Sequence, residues 1–346
     1  MRLLLFSFLA VLSFSFILSA QNERKEFGGK LSGYMIGEYY YNISHHNSDI
    51  LDEHGFWFRR IYLSYDYNID DNFSTRLRLE MNNDGSYSNK EVITPFIKDA
   101  YLAYEIGNQK AYFGISSPPT FSLIEKFWGY RSVEKTPLDL QRIASSREFG
   151  LAMKGQFDSA GKFRYNVMYG NGSGNKQEID KGKSFMSSFS FWATKKVVFQ
   201  IYGDYADRSG NNDTYIQQAF LGYMEENLHG GIQYSHQSLK GKDSSSDEIN
   251  LNILSVFLSG KILDKIKLIG RIDRMFEPNP NGENIAYTPF DNSASFTMFL
   301  TGIDVNVADG VSIIPNLKYV KYDMNVQGIT PESDSYAWLT LFWKFK

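Results

Sequence analysis

The residues with the clearest chemical potential are basic side chains that recur at every second position. Arg76 and Arg78 stand in the run 73–82, where apolar residues fill the intervening positions. Side chains two positions apart on a β-strand share a face, so the two guanidinium groups point the same way. Arg60 belongs to the preceding alternating run, 56–68. Because guanidinium groups bind anions through charge-assisted hydrogen bonds, these three residues predict an anion site.

The same alternation places further charged residues on this face. The long connection 117–146 adds others, so the predicted anion-binding set is Arg60, Arg76, Arg78, Lys126, Arg131, Arg142, Lys154, Arg164 and Arg271. Acidic residues share the face at Glu38, Asp66, Glu80, Asp99, Glu105, Asp204 and Asp273. Two interpretations stay open: the charges only solvate a wet surface, or a basic ladder beside an acidic strip guides anions.

Other kinds of chemistry have weaker support. His45, His46 and His54 lie close together but lack a ligand spacing typical of metal sites, so no metal or other cofactor is expected. The glycine-rich run 170–174 precedes no amphipathic helix, which argues against a phosphate-binding loop. His229 and His236 have no nucleophile motif around them. The sequence therefore predicts a protein that is not an enzyme.

The elements that would position these residues are β-strands, because hydrophobicity alternates with a period of two along nearly the whole chain. Sixteen strands are predicted, at 30–41, 56–68, 72–82, 96–106, 109–116, 147–157, 162–170, 184–194, 197–207, 214–224, 228–238, 248–259, 265–276, 294–306, 310–322 and 335–345. Short turns such as 107–108 and 195–196 alternate with longer polar loops such as 83–95 and 277–293. This alternation is typical of a transmembrane antiparallel β-barrel, with both termini on the short-turn side.

The last strand supports closure of that barrel. Leu339, Leu341 and Phe345 face one side, and Trp338 and Thr340 face the other. A terminal strand with an apolar face would template aggregation if its edge stayed unpaired. Pairing with the first strand would close the barrel and turn its apolar face toward lipid.

The ends and composition are consistent with an exported all-β protein. Residues 1–20 resemble a cleaved export signal, with Arg2, an apolar stretch to Ile17 and small residues ending at Ala20. Residues 21–346 are then expected to form one barrel domain. The chain has no cysteine and therefore no disulfide. Its formal net charge of -3 argues against a nucleic-acid binder, which would be strongly basic. Aromatic content of 16% with a mean hydropathy of -0.35 fits a barrel with one lipid-facing and one wet surface.

The longest connection, 117–146, is predicted to fold into the barrel and narrow it. It carries Phe121, Ile124, Phe127, Trp128 and Leu140, which is too apolar for a loop exposed to solvent. Packed inside the barrel, it would form a constriction and set charge selectivity. The alternative is a folded external flap.

Several segments resemble the phosphate-selective porin O and P family. They are 58–63, 71–80, 97–102, 112–114, 146–151 and 169–172, so the likeness covers about residues 56–172. The resemblance implies a sixteen-stranded, usually trimeric diffusion channel that favours anions through lumenal Arg and constriction-loop Lys residues. Arg76 and Arg78 stand in the matching strand. The constriction loop departs from the family pattern, because Lys126, Arg131 and Lys135 alternate with Glu125 and Glu134.

Together these features predict a trimeric porin in the outer membrane of a Gram-negative-type bacterium. It would pass small hydrophilic solutes, with anions or phosphate-containing solutes preferred, and its other partner would be membrane lipid. The main alternative is a plugged barrel that serves as an adhesin or surface-binding scaffold. A secreted carbohydrate-binding sandwich and a barrel hydrolase are the remaining alternatives.

Overall fold

Sixteen antiparallel strands close into one barrel in the computed structural model, which describes residues 28–83, 85–87, 92–179, 181–207, 213–239 and 248–345. The predicted export signal, 1–20, lies outside the described residues. The strands are β1 Gly29–Ser44, β2 His54–Asn68, β3 Phe73–Asn82, β4 Thr94–Ile106, β5 Gln109–Ser116, β6 Glu148–Gln156, β7 Phe163–Gly170, β8 Ser184–Trp192, β9 Val197–Ala206, β10 Thr214–Met224, β11 Leu228–Leu239, β12 Ile249–Leu263, β13 Ile266–Met275, β14 Phe296–Ala308, β15 Val311–Tyr322 and β16 Asp334–Phe345. The predicted fold class and strand number are confirmed.

The first and last strands close the barrel. β1 pairs with β16 from Gly33 opposite Phe345 to Asn42 opposite Tyr336. Every other strand pairs with its neighbours in sequence. The described sheet is therefore continuous, which removes the exposed edge that the terminal strand would otherwise present.

The two faces of the sheet differ sharply in burial. In β16, Leu339 and Leu341 are exposed on the outside while Trp338 and Thr340 are buried on the inside. The same alternation runs around the barrel and gives the outer surface an apolar covering. Exposed outward residues include Leu77, Phe113, Leu151, Phe185, Ile201, Leu221, Ile232, Leu258 and Leu317.

The connections distinguish the two ends of the barrel. Short turns such as 107–108, 264–265 and 309–310 lie at one end, called here the short-turn side, where β1 begins and β16 ends. Longer connections lie at the other end, called the loop side. Two of them are described throughout and fold inward, and we call 117–146 the first inner segment and 277–293 the second inner segment.

The first inner segment contains two short helices, α1 Ser122–Trp128 and α2 Pro137–Leu140. Gly129 ends α1 in a left-handed conformation with φ 71°, which a glycine adopts without steric cost. The second inner segment contains one 3-10 turn, Gly282–Asn284. None of the helices in the described part of the chain has the length and hydropathy of a membrane span.

The barrel interior is more apolar than the alternation of charges predicted. Inward residues of β7 to β10 and of β12 to β16 join both inner segments in a large buried cluster, which includes Leu138, Leu140, Met168, Ile253, Met275, Tyr287, Phe290, Met298, Val320 and Trp338. Strands on opposite sides of a barrel can contribute to one cluster only from the inside. The inner segments therefore fill part of the lumen, and β12 to β15 carry apolar residues on both faces.

Candidate anion-binding cavity

The apolar side of α1 anchors the first inner segment against one wall of the barrel. Ile124, Phe127 and Trp128 are buried together with apolar residues of β9 to β15. The Phe127 ring lies 5.5 Å from Phe220, and the Trp128 ring lies 5.5 Å from Phe257. Because burial of large aromatic side chains is strongly favourable, this contact holds α1 toward β10, β11 and β12.

Buried ionic contacts hold the next part of the segment. Glu134 accepts a hydrogen bond from Lys318 of β15 at 2.5 Å, and Arg59 of β2 lies 3.8 Å from the same carboxylate. Burial alone would raise the pKa of Glu134, but the charges of Lys318 and Arg59 hold it at about 2. Arg271 of β13 donates to the carbonyl of Lys135. These contacts tie the segment to three strands.

A large open space lies on the opposite wall, between the first inner segment and β3 to β8, and a smaller cavity of about 260 Å³ lies on the side of β1 and β11 to β16. A cavity of about 450 Å³ extends from Arg76 and Arg78 to Lys126 and Lys154. A second lobe of about 440 Å³ continues toward the short turns, and the two lobes share Ser122, Lys126, Lys154 and Asn166. We call the two lobes together the basic cavity.

Six of the nine predicted anion-binding residues line the basic cavity, namely Arg76, Arg78, Lys126, Arg131, Lys154 and Arg164. They fall into two groups according to their partners. The first group consists of paired arginines: Arg76 lies 2.6 Å from Asp66, Arg78 lies 3.2 Å from Asp99, and Arg131 lies 2.7 Å from Glu125 and 2.8 Å from Asp139. Much of their charge is therefore neutralised within the wall.

The second group consists of Lys126, Lys154 and Arg164, all exposed to the cavity. Within the described residues, none of the three forms an ion pair with a carboxylate. They lie instead over aromatic rings. Arg164 is 4.9 Å and Lys126 is 5.9 Å from the centre of Trp192, and Lys154 is 4.5 Å from the centre of Tyr112. Cation–π contact positions each group and leaves N–H donors available to an anion. In Arg164 these are the terminal guanidinium nitrogens, because its Nε donates to the carbonyl of Gly161 at 2.9 Å.

The other three predicted residues do not line the basic cavity. Arg60 is buried with its Nε 3.1 Å from Glu80. Arg271 is buried against Asp273 and lies 5.3 Å from the centre of Trp128. Arg142 donates to the carbonyl of Asn284 at 2.8 Å, which links the two inner segments. These three residues make structural contacts.

Two further basic residues line the cavity and were absent from the predicted set. Lys110 faces its second lobe and stands directly opposite Lys154 in the β5–β6 pairing. The alternation of Lys110 with the outward Ala111 and Phe113 was a signal that could have revealed it. Arg147 lines the first lobe beside Asp99, to which it donates a hydrogen bond. It precedes β6, and alternation across the predicted strand 147–157 assigned it to the outward face of Phe149, so the pattern did not reveal it.

The acidic residues of the cavity wall include one titratable near neutral pH. Glu125 and Asp139 both accept hydrogen bonds from Arg131. Burial, reinforced by the negative charge of Asp139, raises the pKa of Glu125 to about 7. One guanidinium group serves two carboxylates, so it does not stabilise full ionisation of both. The charge of the cavity therefore depends on pH in the neutral range.

Comparison with known proteins identifies the fold. No protein-family model matches the chain, and no curated protein matches its sequence. Among solved structures, it is similar to an anion-selective porin from Comamonas acidovorans, with TM-score 0.66, 12% identity, and coverage of 92% of this chain and 100% of that one. It is also similar to OmpF of Salmonella typhi in complex with daunomycin, with TM-score 0.66, 9% identity, and coverage of 92% and 97%.

A mutant of Rh. blastica porin gives TM-score 0.58 at 11% identity, with coverage of 92% of this chain and 100% of that one. The chain thus has the sixteen-stranded barrel fold of these porins. At such low identity the likeness concerns the fold alone. Membership of the phosphate-selective porin O and P family stays a prediction that rests on the sequence segments described above.

Proposed function

We propose that this protein is an outer-membrane channel for the passive diffusion of small hydrophilic solutes, with a preference for anions. The observation that carries the proposal is the basic cavity, where Lys126, Lys154 and Arg164 are exposed and pair with no carboxylate of the described residues. Cationic groups at a narrow, partly desolvated passage attract anions and repel cations. Phosphate-containing solutes are the anions that the family resemblance favours.

The apolar outer surface supports insertion in a bilayer. Closed barrels satisfy every backbone hydrogen bond internally, as a membrane requires. We propose that residues 1–20 direct export and are removed, and that the barrel resides in a Gram-negative-type outer membrane. We further propose a homotrimer. One similar solved structure is the trimer form of OmpT of Vibrio cholerae.

We assign the constriction to the first inner segment. α1 packs against β10 to β12, so the basic cavity lies on the other side of the helix, along β3 to β8. Ser122, Glu125 and Lys126 present the polar side of α1 to this space. The bore is consequently bounded by a basic wall on one side and by the helix on the other. No catalytic step is part of this proposal.

The test is a planar lipid bilayer that receives the purified, detergent-folded protein under a salt gradient. Stepwise conductance, in triplets for a trimer, with a reversal potential of the sign that indicates anion permeation, would support the proposal. A reversal potential of the opposite sign would remove the anion preference while leaving the channel.

The apolar filling of the interior favours a second candidate, a plugged barrel that acts as a surface-binding scaffold. Buried residues of both inner segments pack against β12 to β16 rather than lining water. Under this alternative the bilayer would stay silent although the protein is folded, as judged by heat-modifiable electrophoretic mobility. Ligands would then be sought at the loop side.

A further inference from the structure

The second inner segment lies in the barrel interior and is held by the wall of β2 and β3 and by the first inner segment. Ile285, Tyr287 and Phe290 are buried in the central cluster. The Tyr287 hydroxyl donates to the carbonyl of Asn83 beside β3, at 2.5 Å. At its start, the Asn279 amide donates to the carbonyl of Gln141 in the first inner segment at 2.9 Å. The position of this segment therefore affects how the lumen is filled.

His46 lies where this segment meets the rim of the barrel. Its Nδ1 is 2.9 Å from Oδ1 of Asp334, the first residue of β16. Its Nε2 is 3.2 Å from Oε1 of Glu283 in the second inner segment. The imidazole thus stands between a carboxylate of the barrel wall and a carboxylate of the segment inside it.

The environment of Asp334 determines which nitrogen of His46 is free. Asp334 is fully buried and accepts hydrogen bonds from the Tyr322 hydroxyl at 2.5 Å and from the backbone N–H of His46 at 2.7 Å. An ionised carboxylate only accepts, so the Nδ1 of His46 carries the hydrogen that faces it. In the neutral imidazole the lone pair is then on Nε2, which faces Glu283. That lone pair can accept a metal ion, whereas a protonated imidazole would donate hydrogen bonds to both carboxylates.

The third group is Asp291, and its carboxylate completes a set of ligand atoms. One atom each from His46, Glu283 and Asp291 lies within 4.8 Å of the others. Asp291 is held by Ser293, whose backbone N–H and hydroxyl donate to Oδ1 at 2.8 and 2.6 Å. Ligands at about 2.0 to 2.2 Å from a tetrahedral ion are roughly 3.3 Å apart, which agrees with the separation of His46 and Glu283.

We propose that His46, Glu283 and Asp291 bind a first-row divalent cation of the Zn²⁺ class, with water as the remaining ligand. A hydrogen bond from the second imidazole nitrogen to a carboxylate, as between His46 and Asp334, is the usual outer shell of a histidine metal ligand. The ligand set of one imidazole and two carboxylates suits such ions. Glu283, alone among the three proposed ligands, lines a cavity of about 440 Å³.

His45 is not part of the proposed ligand set, although it stacks on His46 with ring centres 4.2 Å apart. Its Nδ1 accepts the backbone N–H of Asn47 at 2.9 Å, so that lone pair is already used. The bound ion would fasten the second inner segment to the rim where β1 and β16 meet. This inference concerns the barrel rim and is independent of the proposed transport of anions.

The experiment is isothermal titration calorimetry of the folded full chain in detergent with Zn²⁺ at neutral pH. We expect one equivalent per barrel, lost in H46Q and weakened at least tenfold in E283Q. D334N should weaken binding about tenfold to a hundredfold because it removes only the outer-shell carboxylate. H54Q and E332Q are the matched controls, since His54 and Glu332 are exposed at the loop side of the barrel. Both variants should bind Zn²⁺ with the affinity of the wild type.

Two results would overturn the proposal: no Zn²⁺ binding by the wild type, or equal binding by H46Q, E283Q and the controls. Loss of binding in E283Q would not come from misfolding, because the Glu283 side chain is 37% exposed and glutamine has nearly the same volume. Visible absorption with Co²⁺ in place of Zn²⁺ provides a second readout. A tetrahedral d–d band in the wild type that is absent from H46Q and E283Q would support the site, and a band retained in all three would contradict it.

Discussion

Lys318 of β15 donates a hydrogen bond of 2.5 Å to Glu134 of the first inner segment, and both side chains are buried. The ammonium group also lies 3.6 Å from the centre of the Trp338 ring. This pair joins the barrel wall to the segment inside it. Since burial of either charge alone is costly, the pair makes the position of the segment depend on the wall.

Replacing Lys318 by Met should therefore destabilise the folded barrel. The variant leaves Glu134 buried with the more distant Arg59 as its cationic partner, and breaking a buried pair in this way costs about 3 to 5 kcal/mol. The measurement is the free energy of unfolding in denaturant, with detergent held constant. K321M is the matched control, because Lys321 is exposed on the same strand. Equal stability of the two variants would show that the pair does not hold the segment.

Removal of the unpaired cations should reduce anion preference. In a water-filled passage with a dielectric near that of bulk water, one unit charge about 4 Å from a permeating ion contributes about 1 kcal/mol, or about fivefold in partition. We expect K154A and R164A each to shift the reversal potential toward cation permeation, and the triple variant with K126A to shift it further. K195A removes the same charge from an exposed short turn and should have a smaller effect. If K154A matched K195A, the basic cavity would not be the selectivity filter.

Anion preference should also depend on pH between about 6 and 8. The raised pKa of Glu125, about 7, makes this carboxyl mostly neutral at the lower pH and mostly ionised at the higher one. Ionisation adds a negative charge to the cavity wall, so anion preference should fall as the pH rises. Reversal potentials recorded across this range test the prediction. E125Q should remove the dependence in this interval, and an unchanged pH profile in that variant would assign it to another group.

A methyl group at Gly222 should displace the first inner segment. A Cβ atom there would lie 2.6 Å from the Phe127 ring, whereas a Cβ at Gly203 would meet only a carbonyl oxygen, at 3.8 Å. Overpacking of this kind typically costs about 1 to 3 kcal/mol. We expect G222A to lower the free energy of unfolding and to change single-channel conductance, while G203A leaves both near wild type. Wild-type conductance in G222A would show that α1 does not define the bore.

The alternation of side chains was enough to predict the barrel and much of its basic wall. A period of two assigns Arg76, Arg78, Lys154 and Arg164 to one face without knowledge of strand partners, because the pleat alone sets the direction of each side chain. The period-two runs predicted sixteen strands, and the even number predicted that the first strand begins at the end of the barrel where the last strand stops; both are confirmed. These are local properties of the chain.

Contacts between distant segments depended on the tertiary structure. Arg76 stands opposite Asp66 only because of the β2–β3 register, and Arg271 is covered only because the first inner segment lies on it. The apolar inward residues of β12 to β15, such as Ile253 and Met298, gave no sign in the sequence of what would cover them. His46 and Glu283 are separated by 237 residues, and only barrel closure and the inward fold of the second inner segment bring them together. Periodicity determines the face on which a side chain lies, whereas its partners follow from register, closure and the packing of segments far apart in the chain.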